Sequence, residues 1–222
     1  MTRMAKTASV LVLAALLSLI LVSCGEGKGV TVKTEGGGPP AETAPVEEAG
    51  GAQAGKAALL VVAQEDFQDI EYDAVRKALA SAGFGVSVAA PEKAPAVGVS
   101  GTRVTPDLSL SEARASGYAA VIFIGGPGTS SLFDSRDAHR LAMEAAQEGK
   151  VLAAICLAPA ILARAGVLRG RRATVYPSAA DELVAGGAQY TGTGVEIDGN
   201  LVTADGPEAS EQFSRAVMGN MC

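Results

Sequence analysis

Residues 150–159, Lys-Val-Leu-Ala-Ala-Ile-Cys-Leu-Ala-Pro, constrain this chain more than any other stretch. Val151 to Ile155 is a short, wholly apolar run behind the chain-breaking Gly149, and the helix formers of Ala160 to Ala165 follow almost at once. A short apolar run bounded by a break reads as a strand covered on both faces, and a strand that passes straight into a helix is the building unit of an α/β sheet. The turn between them lifts Cys156 at the carboxyl end of the sheet, where open α/β sheets keep their binding crevices. There the unpaired amides and positive end of the next helix favour a thiolate, the nucleophilic form. The competing reading is a core cysteine packed as a small hydrophobe.

The rest of the second half and the segment before it repeat the alternation. Ala57 to Ala63 is all apolar and reads as the first parallel strand. Ile70, Ala74, Ala78 and Ala82, beside Val75 and Leu79, make a helical stripe that ends at Gly83. Gly85 to Ala90 is a second strand and Ala119 to Ile124 a third, opening into Gly-Gly-Pro-Gly at 125–128. That turn has neither the dinucleotide fingerprint nor the Walker spacing with its lysine, so it points to no nucleotide cofactor. Asp137 to Glu148 is an amphipathic helix, Arg172 to Val175 a further short strand, and Val195 to Ile197 and Leu201 to Ala204 flank the hairpin signal Asp-Gly-Asn at 198–200. Glu208 to Met218 is a closing helix. Val97 to Leu110, broken by Gly98, Gly101 and Pro106, reads as a small antiparallel excursion. Strands and helices alternating at this spacing predict a doubly wound, mostly parallel α/β sheet.

Several segments resemble one family. Ala-Ala-Ile-Cys-Leu-Ala-Pro at 153–159 and Val-Ile-Phe-Ile-Gly-Gly-Pro-Gly at 121–128 look like the ThiJ/PfpI family, relatives of the Parkinson-linked deglycase and of class I glutamine amidotransferases. Ala165 to Gly170, Ala173 to Pro177 and Val195 to Ala204 are further matches, in family order. The resemblance implies a flavodoxin-like, class I glutamine amidotransferase-like domain over residues 57–222. It also implies an oxyanion site made by the backbone amides of Gly126 and Leu157 beside Cys156. Two fixed N–H donors of this kind are worth on the order of 3 kcal/mol each to a developing oxyanion. By analogy the domain is expected to be a homo-oligomer.

The departures from the family matter as much. Hydrolases and glyoxalases of this kind carry a histidine directly after the cysteine or beside the proline of the next strand, where this chain has Leu157 and Tyr176. The chain's one histidine, His139, falls on the helix before the elbow strand, with nothing to bring it to Cys156. Many relatives place a protonated glutamate after the first strand to hydrogen-bond the thiolate; the run Phe-Gln-Asp-Ile-Glu at 67–71 aligns Gln68 there. A glutamine amide can donate to sulfur but cannot shuttle a proton. Glu65, Asp69 or Glu71 could supply a carboxylate instead, or each could be a solvated first-turn charge.

The N-terminal quarter belongs to no such domain. Residues 1–23 hold Arg3 and Lys6, then the apolar stretch Val10 to Val22, then Leu-Val-Ser ahead of Cys24. This reads as an export signal whose apolar part is shorter than the ~20 residues of a spanning helix. Leu-Val-Ser-Cys resembles the bacterial lipobox, which implies a lipid on Cys24 and a membrane partner reached through that lipid alone, on the extracytoplasmic side of the cell envelope. Residues 24–56, rich in Gly, Ala, Pro, Glu and Thr, read as a flexible tether with a span of roughly 30 Å. Loss of Arg3 and Lys6 with no acid takes the net charge from −6 to −8, which argues against a nucleic-acid partner. No cluster of Cys, His, Asp and Glu has metal-ligand spacing, so no metal is expected. Cys222 reads as a free thiol at the end of the chain, a disulfide to Cys156 being the alternative.

Two functions of different kind follow. With the histidines gone and Gln68 in the glutamate's place, the leading expectation is a redox-responsive, non-proteolytic, stress-related module on the envelope. The alternative is a cysteine-dependent enzyme acting on small reactive carbonyls or their adducts, glyoxalase- or deglycase-like, or a hydrolase or amidotransferase-like enzyme.

Overall fold

The computed structural model describes residues 56–221. The signal at 1–23, the lipid site Cys24, the tether up to residue 55 and Cys222 lie outside the described residues.

Seven strands form the central sheet: β1 (Ala57–Val61), β2 (Gly85–Ala90), β3 (Leu108–Ser109), β4 (Ala120–Phe123), β5 (Val151–Ile155), β6 (Val195–Asp198) and β7 (Leu201–Ala204). They lie in the order β6-β7-β5-β4-β1-β2-β3, and every pairing is parallel except the β6–β7 hairpin. Without the edge strands β3 and β6 the order is second, first, third, fourth, fifth counted among the remaining strands, the flavodoxin-like winding. Every residue of β1, β4 and β5 is buried, which is why each reads as an unbroken apolar run.

Helix α1 (Asp69–Ser81) and helix α5 (Ser210–Asn220) cover one face; α2 (Arg136–Gln147), α3 (Pro159–Arg164) and α4 (Ala180–Ala185) cover the other. In α1 the buried face is Tyr72, Val75 and Leu79 together with Asp69 and Glu71, while Ile70 is 58% exposed. Val75 and Leu79 of the expected stripe are buried and Ala74 and Ala78 half-buried, but the helix is rotated so that Ile70 faces outward and Tyr72 inward. Its first turn sets that phase, because Gln68 Oε1 caps the amide of Ile70 and the Asp69 carboxylate is turned onto the 98–102 loop.

Two other expectations change. Ala96–Gly98 and Arg103–Val104 do form an antiparallel pair, but Ala96–Gly98 also pairs in parallel with Glu65–Phe67. The last part of the excursion joins the main sheet as β3, where Asp107 Oδ2 accepts from the amide of Val88 at 2.8 Å. Arg172–Ala173 stays out of the main sheet and pairs with Gln189–Tyr190. Its neighbouring amides are taken by side chains instead: Arg172 donates to Asp198 Oδ2 and Thr174 to Thr203 Oγ1, both at 2.9 Å.

Register brings the site together. Val61 lies opposite Phe123, and Phe123 opposite Ala154, so the chain leaves β1, β4 and β5 at one level. Gln68, Gly126 and Cys156 follow those three ends, at the point where the winding reverses.

Candidate functional site

Cys156 is the elbow. It has φ +60°, a left-handed conformation that costs a residue with a Cβ about 1–2 kcal/mol, and it is one of two non-glycine residues there among the described residues. The turn is pinned on both sides: its amide donates to the Ala204 carbonyl and its carbonyl accepts from the amide of Tyr176, each at 2.9 Å. Cys156 carries a free thiol, 7% exposed.

The packing around it leaves no room for side chains at two glycines. A Cβ on Gly125 would collide with the Cys156 Cβ and come within 2.8 Å of Glu71 Oε2. A Cβ on Gly126, where φ is +117°, would meet the backbone of Asp66, Phe67 and Gln68. These close approaches let the 125–127 turn lie against both the cysteine and the start of α1. The Gly125 carbonyl accepts from the amide of Gln68 at 2.8 Å and holds the two loops together.

Three groups act on the sulfur. The backbone amides of Gly126 and Leu157 act on it and pull its pKa down, toward the thiolate. The third group is the carboxyl of Glu71. Gln68, which the resemblance aligns with the family's carboxyl, lines the pocket and caps α1, while the carboxyl that acts on the thiol is that of Glu71, one helical turn later. The buried face of α1, Tyr72–Val75–Leu79, carries Glu71 inward. Of the other candidate carboxylates, Glu65 is exposed, and Asp69 accepts from the amides of Ser100 and Thr102 at 2.8 and 3.0 Å.

Glu71 is fully buried, and its Oε2 accepts from the amide of Gly125 at 2.9 Å. Burial pushes its pKa up to about 7, against the pull of the Gly125 and Cys156 hydrogen bonds. Burial, followed by the Glu71 charge, pushes the Cys156 thiol up to about 12, against the pull of the Gly126 and Leu157 amides. Glu71 Oε1 has no hydrogen-bond partner among the described residues. A buried carboxyl oxygen without a donor favours the neutral, protonated carboxyl over the carboxylate. The pair titrates as one unit: near neutrality it changes between two protons and one, and the one-proton form contains the reactive species.

The thiol opens into a pocket of about 370 Å³. Gln68, Gly126 and Leu157 line it with Cys156, as do Tyr176, Ser178, Pro207 and Glu208. Tyr176, at the position where the resemblance implies a histidine, lines the site. His139 lies on α2 with Nε2 2.7 Å from the Phe133 carbonyl and takes no part in the pocket. Ser178 and Glu208 carry no sequence signal of their own; they reach the pocket only because the loops after Ala173 and after β7 fold over the elbow. A carbonyl compound in this pocket would meet a sulfur with two backbone amides beside it, and that sulfur interacts with a buried carboxyl of pKa about 7 that lies outside the lining.

A model of the DJ-1/PfpI family matches residues 56–220. A Methanocaldococcus jannaschii protein of uncharacterised function is 36% identical over 163 residues, 72% of this chain and 80% of that one. A deglycase of Pyrococcus abyssi is 32% identical over 149 residues, 67% of this chain and 90% of the relative. A glutathione-independent glyoxalase of Caenorhabditis elegans is 27% identical over 163 residues, 73% and 87% of the two chains. Among solved structures, a ThiJ/PfpI domain protein from Brachyspira murdochii superposes with a TM-score of 0.72 at 31% identity, covering 75% of this chain and 96% of that one.

Proposed function

We propose, from the premise that this chain belongs to the DJ-1/PfpI family, that it is a cysteine-dependent enzyme acting on small reactive carbonyls or their adducts. The observation that carries this is the Glu71 carboxyl at the Cys156 thiol, within a pocket that also offers the Gly126 and Leu157 amides. The sulfur attacks the carbonyl carbon and the C=O electron pair moves onto oxygen. The two amides hold the oxyanion, and the thiol proton passes to Glu71, from which it can be returned to oxygen. A thiohemiacetal results, with atoms and charge balanced. Glu71 suits this role because a base with a pKa near the working pH both accepts and gives up a proton readily. That relatives bear the names deglycase and glyoxalase supports the same kind of reaction.

The redox-responsive reading rests on two absences at the sulfur, an imidazole and a carboxyl. Glu71 supplies the carboxyl, so carbonyl chemistry takes precedence. The missing imidazole keeps peptide hydrolysis out of the proposal.

The test is methylglyoxal consumption by the purified full chain. Turnover that Cys156→Ser abolishes is the expected result. No turnover by the unaltered protein, with Cys156 still converted to a sulfenic acid by peroxide and recovered by a thiol, would sink the enzyme reading and leave the redox one.

The place of action is part of the proposal and rests on the sequence of residues 1–24 alone. The domain is held to the extracytoplasmic side of the envelope by a lipid on Cys24, on a tether that lets it work as a homo-oligomer away from the bilayer surface. Cys24→Ala should take up no fatty-acid label; label that persists in that variant would refute the anchor.

A further inference from the structure

A carbonyl pocket has to choose among carbonyl compounds, and the mouth of this one carries a charge. Of the residues lining the pocket, Glu208 alone has a formal charge; no lysine, arginine or histidine faces it among the described residues. Glu208 is exposed at the rim, in the short helical turn Pro207–Ala209 that follows β7. Its carboxylate is felt as far in as Glu71, whose ionisation it opposes. The Tyr176 ring, 44% exposed, stands beside it. A Cβ on Gly206 would lie 3.3 Å from Tyr176 Cδ2 and 3.8 Å from Glu208 Oε2, so ring and carboxylate border the same space.

We infer that Glu208, with the Tyr176 ring beside it, is the charge selector of this site: it admits neutral and cationic carbonyl compounds and turns away those with a carboxylate. The assignment rests on the carbonyl reading of the pocket and deepens it. A carboxylate at the rim attracts a cation and repels an anion, and an aromatic face next to it adds a second attraction for a cation. A unit charge at about 6 Å in water changes the local concentration of a monovalent ion by roughly threefold in each direction, so the cation-to-anion ratio changes by roughly tenfold. Ser178 and Gln68 add neutral hydrogen-bonding groups and do not offset the charge.

The test uses thiol reagents, which need no turnover. The full chain is treated with the trimethylammonioethyl and sulfonatoethyl methanethiosulfonates, and labelling at Cys156 is followed by peptide mass spectrometry. Each rate is divided by that of neutral iodoacetamide on the same protein. The cation-to-anion ratio should exceed that of the denatured chain by roughly tenfold, fall by about that factor in Glu208→Gln and invert in Glu208→Lys. A ratio that stays within twofold of the unaltered protein in both variants would overturn the assignment. Consumption of methylglyoxal and of glyoxylate is measured in parallel. If neither is consumed while the labelling ratio responds to Glu208, the carbonyl reading fails and the charge selector stands. If methylglyoxal is consumed while the ratio ignores Glu208, the selector fails and the carbonyl reading stands.

Discussion

The buried Glu71 carboxyl acts directly on the Cys156 thiol, the first held by the Gly125 amide and the second drawn toward the thiolate by the amides of Gly126 and Leu157. Neither residue acquires this character alone. Burial makes Glu71 a base of pKa about 7, and the Glu71 charge joins burial in keeping the neighbouring thiol protonated. A site lacking histidine thereby keeps a proton acceptor suited to neutral pH.

Replacing Glu71 by Gln tests that pairing. In the unaltered protein, alkylation of Cys156 should rise with pH through about 7, as the pair passes from two protons to one. Glu71→Gln should erase the step near 7 and lower methylglyoxal turnover by roughly 10²- to 10⁴-fold, the usual worth of a positioned acid–base group. Peptide-resolved alkylation rates between pH 5 and 10 would show it. A step near 7 that survives the substitution would assign the titration to another group.

Asp69 has a different task, although it sits only two residues before Glu71. Burial pushes its pKa up, but the amides of Ser100 and Thr102 that its carboxylate accepts, with the Thr102 side chain, together outweigh it and hold the pKa below the ordinary value. Asp69→Ala should cost about 1–3 kcal/mol in urea unfolding while Cys156 keeps its pH step. Loss of the step with stability intact would move Asp69 into the site.

How much of this was legible in the chain depends on which period carried the information. Strands β1, β4 and β5 are buried on both faces, so their apolar runs announce them, and the run that stops at Cys156 announces the elbow with them. Gly126 and Leu157 follow from the resemblance because they are backbone donors fixed by the turn. Glu71 is less visible: alanines on both sides of α1 blur its phase, and only the Tyr72–Val75–Leu79 row shows which way the first turn faces. The pairing of Tyr176 with Glu208 has no linear signature, since two loops far apart in the chain, after Ala173 and after β7, bring the residues together in three dimensions.

Gly126 tests how tightly the turn is built. At φ +117° its conformation disfavours any other residue, and a Cβ would strike backbone rather than a movable side chain. Gly126→Ala should destabilise the domain by about 2–4 kcal/mol and slow Cys156 reactions through displacement of the amide that faces the sulfur. Urea unfolding with alkylation under native conditions measures both; a variant as stable as the parent would show that the turn yields more easily than its contacts imply.

The buried carboxyl also makes stability depend on pH in an unusual direction. The folded-state pKa of Glu71 lies near 7 against an ordinary value of 4.5, so between these two pH values the folded protein holds a proton that the unfolded chain has lost. Stability therefore falls as pH rises through that window and levels off above it, opposite to the effect of a salt-bridged carboxylate. At 1.36 kcal/mol per pKa unit the loss is on the order of 3 kcal/mol. Asp69 contributes in the other sense, but its effect is complete above the ordinary carboxylate range and fades only in acid. Urea midpoints measured from pH 4.5 to 8 should decline in the parent protein and flatten in Glu71→Gln. The substituted side chain stays neutral throughout, so a decline of equal size in both proteins would place the responsible proton elsewhere.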